Sequence, residues 1–145
     1  MTRRIITLVC AALMLCLASC KKDPAPTTAE QLVGQWELTL ITEGNISREP
    51  SSFGSTMSYS FAADGTYQAH YRLEFRGNTY TQEEQGTYVL DEESKALDLT
   101  YQDEGETITD HKTILAIDEQ HLQMDEIYVD PELGEIHSIR DYKRL

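Results

Sequence analysis

Along most of this chain, apolar side chains recur at every second position, the period of a β-strand with one face buried. Residues 67–76 carry the pattern unbroken. Tyr67, Ala69, Tyr71, Leu73 and Phe75 share one face, and Gln68, His70, Arg72, Glu74 and Arg76 share the other. A helix would set His70 and Glu74 beside Tyr67 and Tyr71, so the two-residue period predicts a strand. The same alternation marks residues 34–40 (Trp36, Leu38, Leu40), 56–62 (Met57, Tyr59, Phe61) and 96–102 (Leu97, Leu99, Tyr101). Residues 79–90, 121–129 and 136–144 supply three more strands. Residues 107–117 are mixed: Ile108, Ile114 and Ala116 fall on one face, Thr113, Leu115 and Ile117 on the other, a switch that a bulge would explain. Turns are marked by Asp64-Gly65, Gly77-Asn78, Glu92-Glu93-Ser94-Lys95, Asp103-Glu104-Gly105-Glu106 and Asp130-Pro131-Glu132-Leu133-Gly134. Residues 43–55 read as a long polar loop.

Eight strands with mostly short connections predict an all-β domain. An open meander would leave two edges free to pair with other molecules, and closure removes both. No helical segment is long enough to cover a sheet face. The predicted fold is therefore a single eight-stranded antiparallel up-and-down β-barrel, with sequence neighbours adjacent in space. Thr28-Ala29-Glu30-Gln31 fits a capping box and predicts one short helical turn before the first strand. About 115 residues, 30–145, remain for the barrel, enough for one core.

The first residues change the picture of where the domain works. Arg3 and Arg4 precede an apolar run from Ile5 to Leu17, of signal length and too short for an ordinary membrane span. The run ends in Leu17-Ala18-Ser19-Cys20, which resembles the bacterial lipobox. That resemblance implies a signal peptide over residues 1–19, cleavage before Cys20, and acyl chains such as palmitate on Cys20. Each buried CH2 contributes ~0.8 kcal/mol, so several chains make a durable membrane anchor. Residues 20–29 form the lipidated start and tether, with Pro24 and Pro26 and no large apolar side chain. Lys21-Lys22-Asp23 partly resembles surface-export signals of Bacteroidetes lipoproteins, and the expected location is the outer membrane, on its periplasmic face or the cell surface. Cys10, Cys16 and Cys20 are the only cysteines, so the processed domain has no disulfide, thiol nucleophile or thiolate metal site. Charge is strongly acidic at −13; without Arg3 and Arg4, 10 basic against 25 acidic side chains give about −15. Such a chain repels phosphate backbones, and no nucleic-acid partner is expected.

The opening Leu32-Val33-Gly34-Gln35-Trp36, the hairpin Tyr59-Ser60-Phe61-Ala62-Ala63-Asp64-Gly65-Thr66-Tyr67 and the run Gly86-Thr87-Tyr88-Val89-Leu90 with Leu97-x-Leu99 resemble the lipocalin superfamily, and most of all the small lipocalin-like lipoproteins of Bacteroidetes. The resemblance spans nearly the whole processed domain. It implies that Gly34 and Trp36 close one barrel end, with Arg140 or Arg144 of the last strand lying against the indole. A guanidinium over an indole gains roughly 0.5–2 kcal/mol. The chain departs from larger members in being shorter and in lacking their long C-terminal helix. Eight strands enclose room for one small ligand or for side chains alone, and ten aromatic positions in the strands favour a filled interior.

Candidate chemistry beyond this is sparse. His70, His111, His121 and His137 show no metal-ligand spacing, and the acidic turns lack the spacing of a dedicated Ca2+ loop, so no metal and no cofactor are expected. Strict alternation puts Gln82 and Glu84 on the face of Tyr80 and Tyr88, inside a barrel; a bulge near Gly86 that turns Glu84 outward is the favoured alternative. No catalytic motif occurs. The expected function is a lipid-anchored, non-catalytic binding module whose small apolar or amphipathic ligand enters among Tyr67, Tyr71, Phe75, Tyr80 and Tyr88. The alternative is a solid-core interaction protein of the envelope that uses its loops, among them residues 43–55, to contact another protein.

Overall fold

The computed structural model describes residues 24–145. The expected signal peptide, the expected lipidation site Cys20 and Lys21-Lys22-Asp23 lie outside the described residues. The described residues hold a helix α1 (Thr28–Leu32) followed by nine strands: β1 (Gly34–Glu43), β2 (Ile46–Arg48), β3 (Ser55–Phe61), β4 (Thr66–Phe75), β5 (Asn78–Leu90), β6 (Ala96–Asp103), β7 (Glu106–Ile117), β8 (His121–Asp130) and β9 (Gly134–Arg144). Every pairing is antiparallel. β1 bonds β3 on one side and β9 on the other, so eight strands close into a barrel, and β2 is an extra strand beside the outer end of β1. The loop expected over residues 43–55 is thus partly ordered: it holds β2 and a 3-10 turn at Pro50–Phe53. A three-residue strand is too short to show alternation.

The helix is capped one residue earlier than the sequence suggests. Thr27 accepts from the Glu30 backbone N–H at 3.2 Å, and the Glu30 carboxylate accepts from the Thr27 N–H at 2.8 Å. Thr28 instead turns inward and accepts from Lys95 Nζ at 2.6 Å. Glu92 accepts from the Ala29 N–H at 2.7 Å. The helix is thereby pinned to the β5–β6 turn.

Two bulges set which side chains point in. In β1 the register slips between Leu38 and Leu40, and Ile41 rather than Leu40 joins Trp36 and Leu38 against the core. In β7 it slips between Ile114 and Ala116. Leu115 is left exposed, and Lys112, Ile114 and Ile117 face inward. The core is aromatic at one end of the barrel. Tyr59 packs against Phe61, Tyr67 and Tyr142 with ring centroids 5.4, 6.2 and 5.8 Å away, and Phe61 meets Tyr88 edge-on at 5.2 Å. Leu97, Leu99, Leu122 and Met124 fill the space between. Gly86 is required here: a Cβ would strike the Thr100 carbonyl oxygen and the Tyr67 ring.

The other end flares. β6 leaves β5 after Gly86↔Tyr101, and β8 leaves β7 after Lys112↔Glu126. The hairpins β4–β5, β6–β7 and β8–β9 therefore project as separate fingers around an open mouth.

Candidate functional site in the open half of the barrel

The closed end fixes the geometry of the rest. The Arg144 guanidinium lies 4.3 Å from the centroid of the Trp36 ring. It donates to the carbonyls of Glu119 (2.7 Å), Val33 (2.9 Å) and Gln31 (2.5 Å). Trp36 Nε1 donates to the Leu32 carbonyl at 2.8 Å, so the buried indole leaves no polar atom unpaired. Gly34, at φ +139°, permits this approach, since a Cβ there would overlap Arg144 Nη1. Arg140, the other residue expected at the indole, is not there. It stands opposite Met124 and Ile41, about 13 Å further along β9 by strand rise, inside the barrel.

There Arg140 belongs to a buried ion cluster. Its Nη2 donates to Glu126 Oε2 at 2.8 Å, while Lys112 Nζ donates to Glu126 Oε1 at 2.6 Å. One carboxylate thus serves two cations on three neighbouring strands. Burial opposes the Arg140 charge, Glu126 supports it, and the net shift is upward. Two buried polar atoms facing this cluster have no partner among the described residues: Arg140 Nε and the Tyr142 hydroxyl. Tyr71 stands between this cluster and Glu84. Burial first, then the Glu84 charge, pushes its hydroxyl up to about 12. Burial likewise drives Tyr59 and Tyr142 well above the ordinary tyrosine value. All of these tyrosines are neutral donors at physiological pH.

Glu84 faces inward, correcting the expectation of a bulge near Gly86. The β4–β5 register runs unbroken from Thr66↔Thr87 to Phe75↔Asn78, and Tyr67 donates its hydroxyl to Glu84 Oε1 at 2.6 Å. That bond offsets the cost of drawing a carboxylate into the wall. Tyr101, opposite Gly86 and Ile108, has Glu84 and Asp110 on its two diagonals. Burial and then Asp110 and Glu84 raise its hydroxyl. At the rim, Glu43 accepts from Tyr128 (3.3 Å) and Ser138 (3.4 Å).

The five aromatics expected to line a pocket do not gather in one. Tyr67 is buried in the closed half, and the Tyr88 hydroxyl donates to the Ala62 carbonyl at 2.7 Å, at the closed end. Tyr71 is half-buried in the middle layer. Phe75 and Tyr80, 54% and 56% exposed, sit near the tip of the β4–β5 finger. Alternation continues to the end of this hairpin, but beyond the barrel there is no opposite wall. Lys112, Glu126 and Asp110 were missed, although two of them were within reach of the sequence. Lys112 is in phase with Ile114 once the bulge is placed, and Glu126 is in phase with Leu122 and Met124.

A groove of about 540 Å3 lies outside the barrel, across β1, β3, β4 and β5, among Gln35, Ser58, Ser60, Gln68, His70 and Gln85. Among the described residues no three His, Cys, Asp or Glu side chains converge as a metal site. Each histidine pairs with one carboxylate: His70 with Glu83, His111 with Asp98, His121 with Asp118 and His137 with Asp125.

A family model described as a lipocalin-like domain matches residues 32–124. The chain belongs to the lipocalin-like domain family. Its fold is similar to solved structures of bovine odorant-binding protein. The complex of bovine odorant-binding protein with a selenium-containing odorant is 15% identical, with a TM-score of 0.51 over 86% of this chain and 77% of that one. The complex of the same protein with undecanal is 16% identical, with a TM-score of 0.50 over 86% and 77%. No curated protein matches the chain. This lipocalin-like barrel differs from a simple apolar cup in carrying two cations and several carboxylates on its inner wall.

Proposed function

We propose that this protein is a lipid-anchored lipocalin-like binding protein of the bacterial cell envelope, of the Bacteroidetes type, which takes a small amphipathic molecule in the open half of its barrel. The observation that carries this is the layering of the interior. Packed rings and leucines fill the closed half. Above them the Lys112–Glu126–Arg140 cluster and Tyr71 form a polar floor. A ligand seated on that floor meets polar groups at its inner end and the half-exposed Tyr101, Ile108 and Ile136 around its body. Small odorants are named with the bovine relatives, and a small ligand suits the space that eight strands enclose.

The envelope setting is supported by the signal-length apolar run, Leu17-Ala18-Ser19-Cys20 and the short tether that follows. We place the protein at the outer membrane, on its periplasmic face or at the cell surface. Displacement of a fluorescent fatty acid tests the ligand: saturable binding should weaken about tenfold in Tyr71→Ala and Arg140→Met. Absence of saturable binding would overturn it. Fractionation tests the anchor: Cys20→Ala should leave the membrane fraction, and its retention there would refute lipidation.

A further inference from the structure

The β4–β5 hairpin outruns its neighbours, and this leaves a bare backbone edge. β5 stays paired with β4 to its very start, but β6 stops at Gly86↔Tyr101. Residues 78–84, about 23 Å of strand, have a partner on one side only among the described residues. Which groups are bare follows from two bonds. The Tyr88 N–H reaches the Gly65 carbonyl on the β4 side, and the Asp91 N–H reaches the Ala96 carbonyl on the β6 side. In an antiparallel ladder the N–H and C=O of one residue point the same way and alternate along the strand. Thr79, Thr81 and Glu83 therefore present N–H and C=O to open space, whereas the Gln85 carbonyl is engaged beside the Gly86↔Tyr101 pair. Edges are ordinarily blunted by charged side chains, proline or a bulge. This one, Asn78-Thr79-Tyr80-Thr81-Gln82-Glu83-Glu84-Gln85, has no lysine, proline or bulge, its charges are confined to Glu83 and the inward-turned Glu84, and its register with β4 is unbroken.

We propose that this edge is a docking site for an extended basic segment of a partner polypeptide, which adds to β5 as a further strand. Backbone bonds supply the attachment in such strand addition, and alternate side chains supply the selection. Here the selection is electrostatic. Glu83 lies on the outer face of the edge itself, Glu84 being turned into the barrel, and Asp103, Glu104 and Glu106 stand at the neighbouring β6–β7 turn. The nearby arginines, Arg72 and Arg76, are on the far strand or its turn, and Arg72 is held by Glu74. A second copy of the same edge would oppose these acids with acids, in a chain of net charge −13.

Amide hydrogen exchange on the full-length protein tests this, with an acetylated octapeptide of alternating Lys and Thr as probe and its Glu–Thr counterpart as control. The Lys–Thr peptide at saturation should slow exchange at Thr79, Thr81 and Glu83 about tenfold, while the Glu–Thr peptide should not. Thr81→Pro removes an outward N–H and leaves the β4 bonds in place, so the slowing should be lost while Tyr80 and Gln82 stay protected. Glu83→Lys, on the outer face, should abolish the preference for the Lys–Thr peptide, and an undiminished preference would overturn the electrostatic selection. Equal effects of the two peptides, no slowing with either, or a dimer that protects these amides without peptide would each overturn the proposal.

Discussion

Removing the Arg144 guanidinium should cost more than a surface charge ordinarily would. It donates to three carbonyls, each worth about 1.5 kcal/mol net from a charged donor, and covers the Trp36 ring for roughly 0.5–2 kcal/mol more. These do not add fully, because water can reach the exposed Glu119 carbonyl and because the interactions share one side chain. We therefore expect Arg144→Met to lose about 2–4 kcal/mol of unfolding free energy. Arg144→Lys, which keeps the charge but offers no planar fork, should fall between the two. Urea unfolding followed by tryptophan fluorescence reads this directly, since Trp36 is the only tryptophan and lies under the guanidinium. An Arg144→Met variant within about 0.5 kcal/mol of the parent, at equal denaturant slope, would refute the closing role.

Other outcomes follow from the same geometry. Gly34→Ala should destabilise by at least about 2 kcal/mol in the same assay, because a side chain at φ +139° is strained and displaces Arg144. Glu126→Gln leaves two buried cations facing one another and should cost about 3–5 kcal/mol, whereas the joint replacement of Lys112, Glu126 and Arg140 by Met should cost far less in thermal melting. His137 is held above its ordinary 6.5 by the Asp125 hydrogen bond and charge. Its folded value being the higher, this contribution is present below pH 6.5 and fades as pH rises through the shifted value. Asp125→Asn should bring the His137 NMR titration back down. Asp64, Asp91, Glu92 and Asp118 are held low mainly by hydrogen bonds, so their contribution is full above the ordinary carboxylate values of 3.8–4.5 and is lost as pH falls through their depressed ones. Acid titration of the melting temperature should show that decline.

Most strands were legible because one face of each is buried and the other wet, as in Tyr67-Gln68-Ala69-His70. The turns were legible because Asp64-Gly65 and Gly77-Asn78 admit few backbone shapes. What escaped has physical causes. A bulge moves the phase by one residue, so Leu40 and Ile41 exchange faces with no sign in composition. A carboxylate such as Glu84 reads as outward until its partner, the Tyr67 hydroxyl seventeen residues away, is known to lie beside it. Alternation in β4 cannot say where the opposite wall ends, so Phe75 and Tyr71 look alike in sequence and differ wholly in burial. The Lys112–Glu126–Arg140 cluster depends on register across three strands, which only closure of the barrel fixes.

The open half of the barrel as a ligand chamber is most directly tested by NMR of the tyrosine rings during titration with a medium-chain fatty acid. Shifts at Tyr71 and Tyr101, with Tyr88 near the sealed end unmoved, would agree with a molecule seated on the charged floor. Shifts confined to backbone around Gln68, His70 and Gln85 on the outer groove, or no shifts at any concentration, would contradict it.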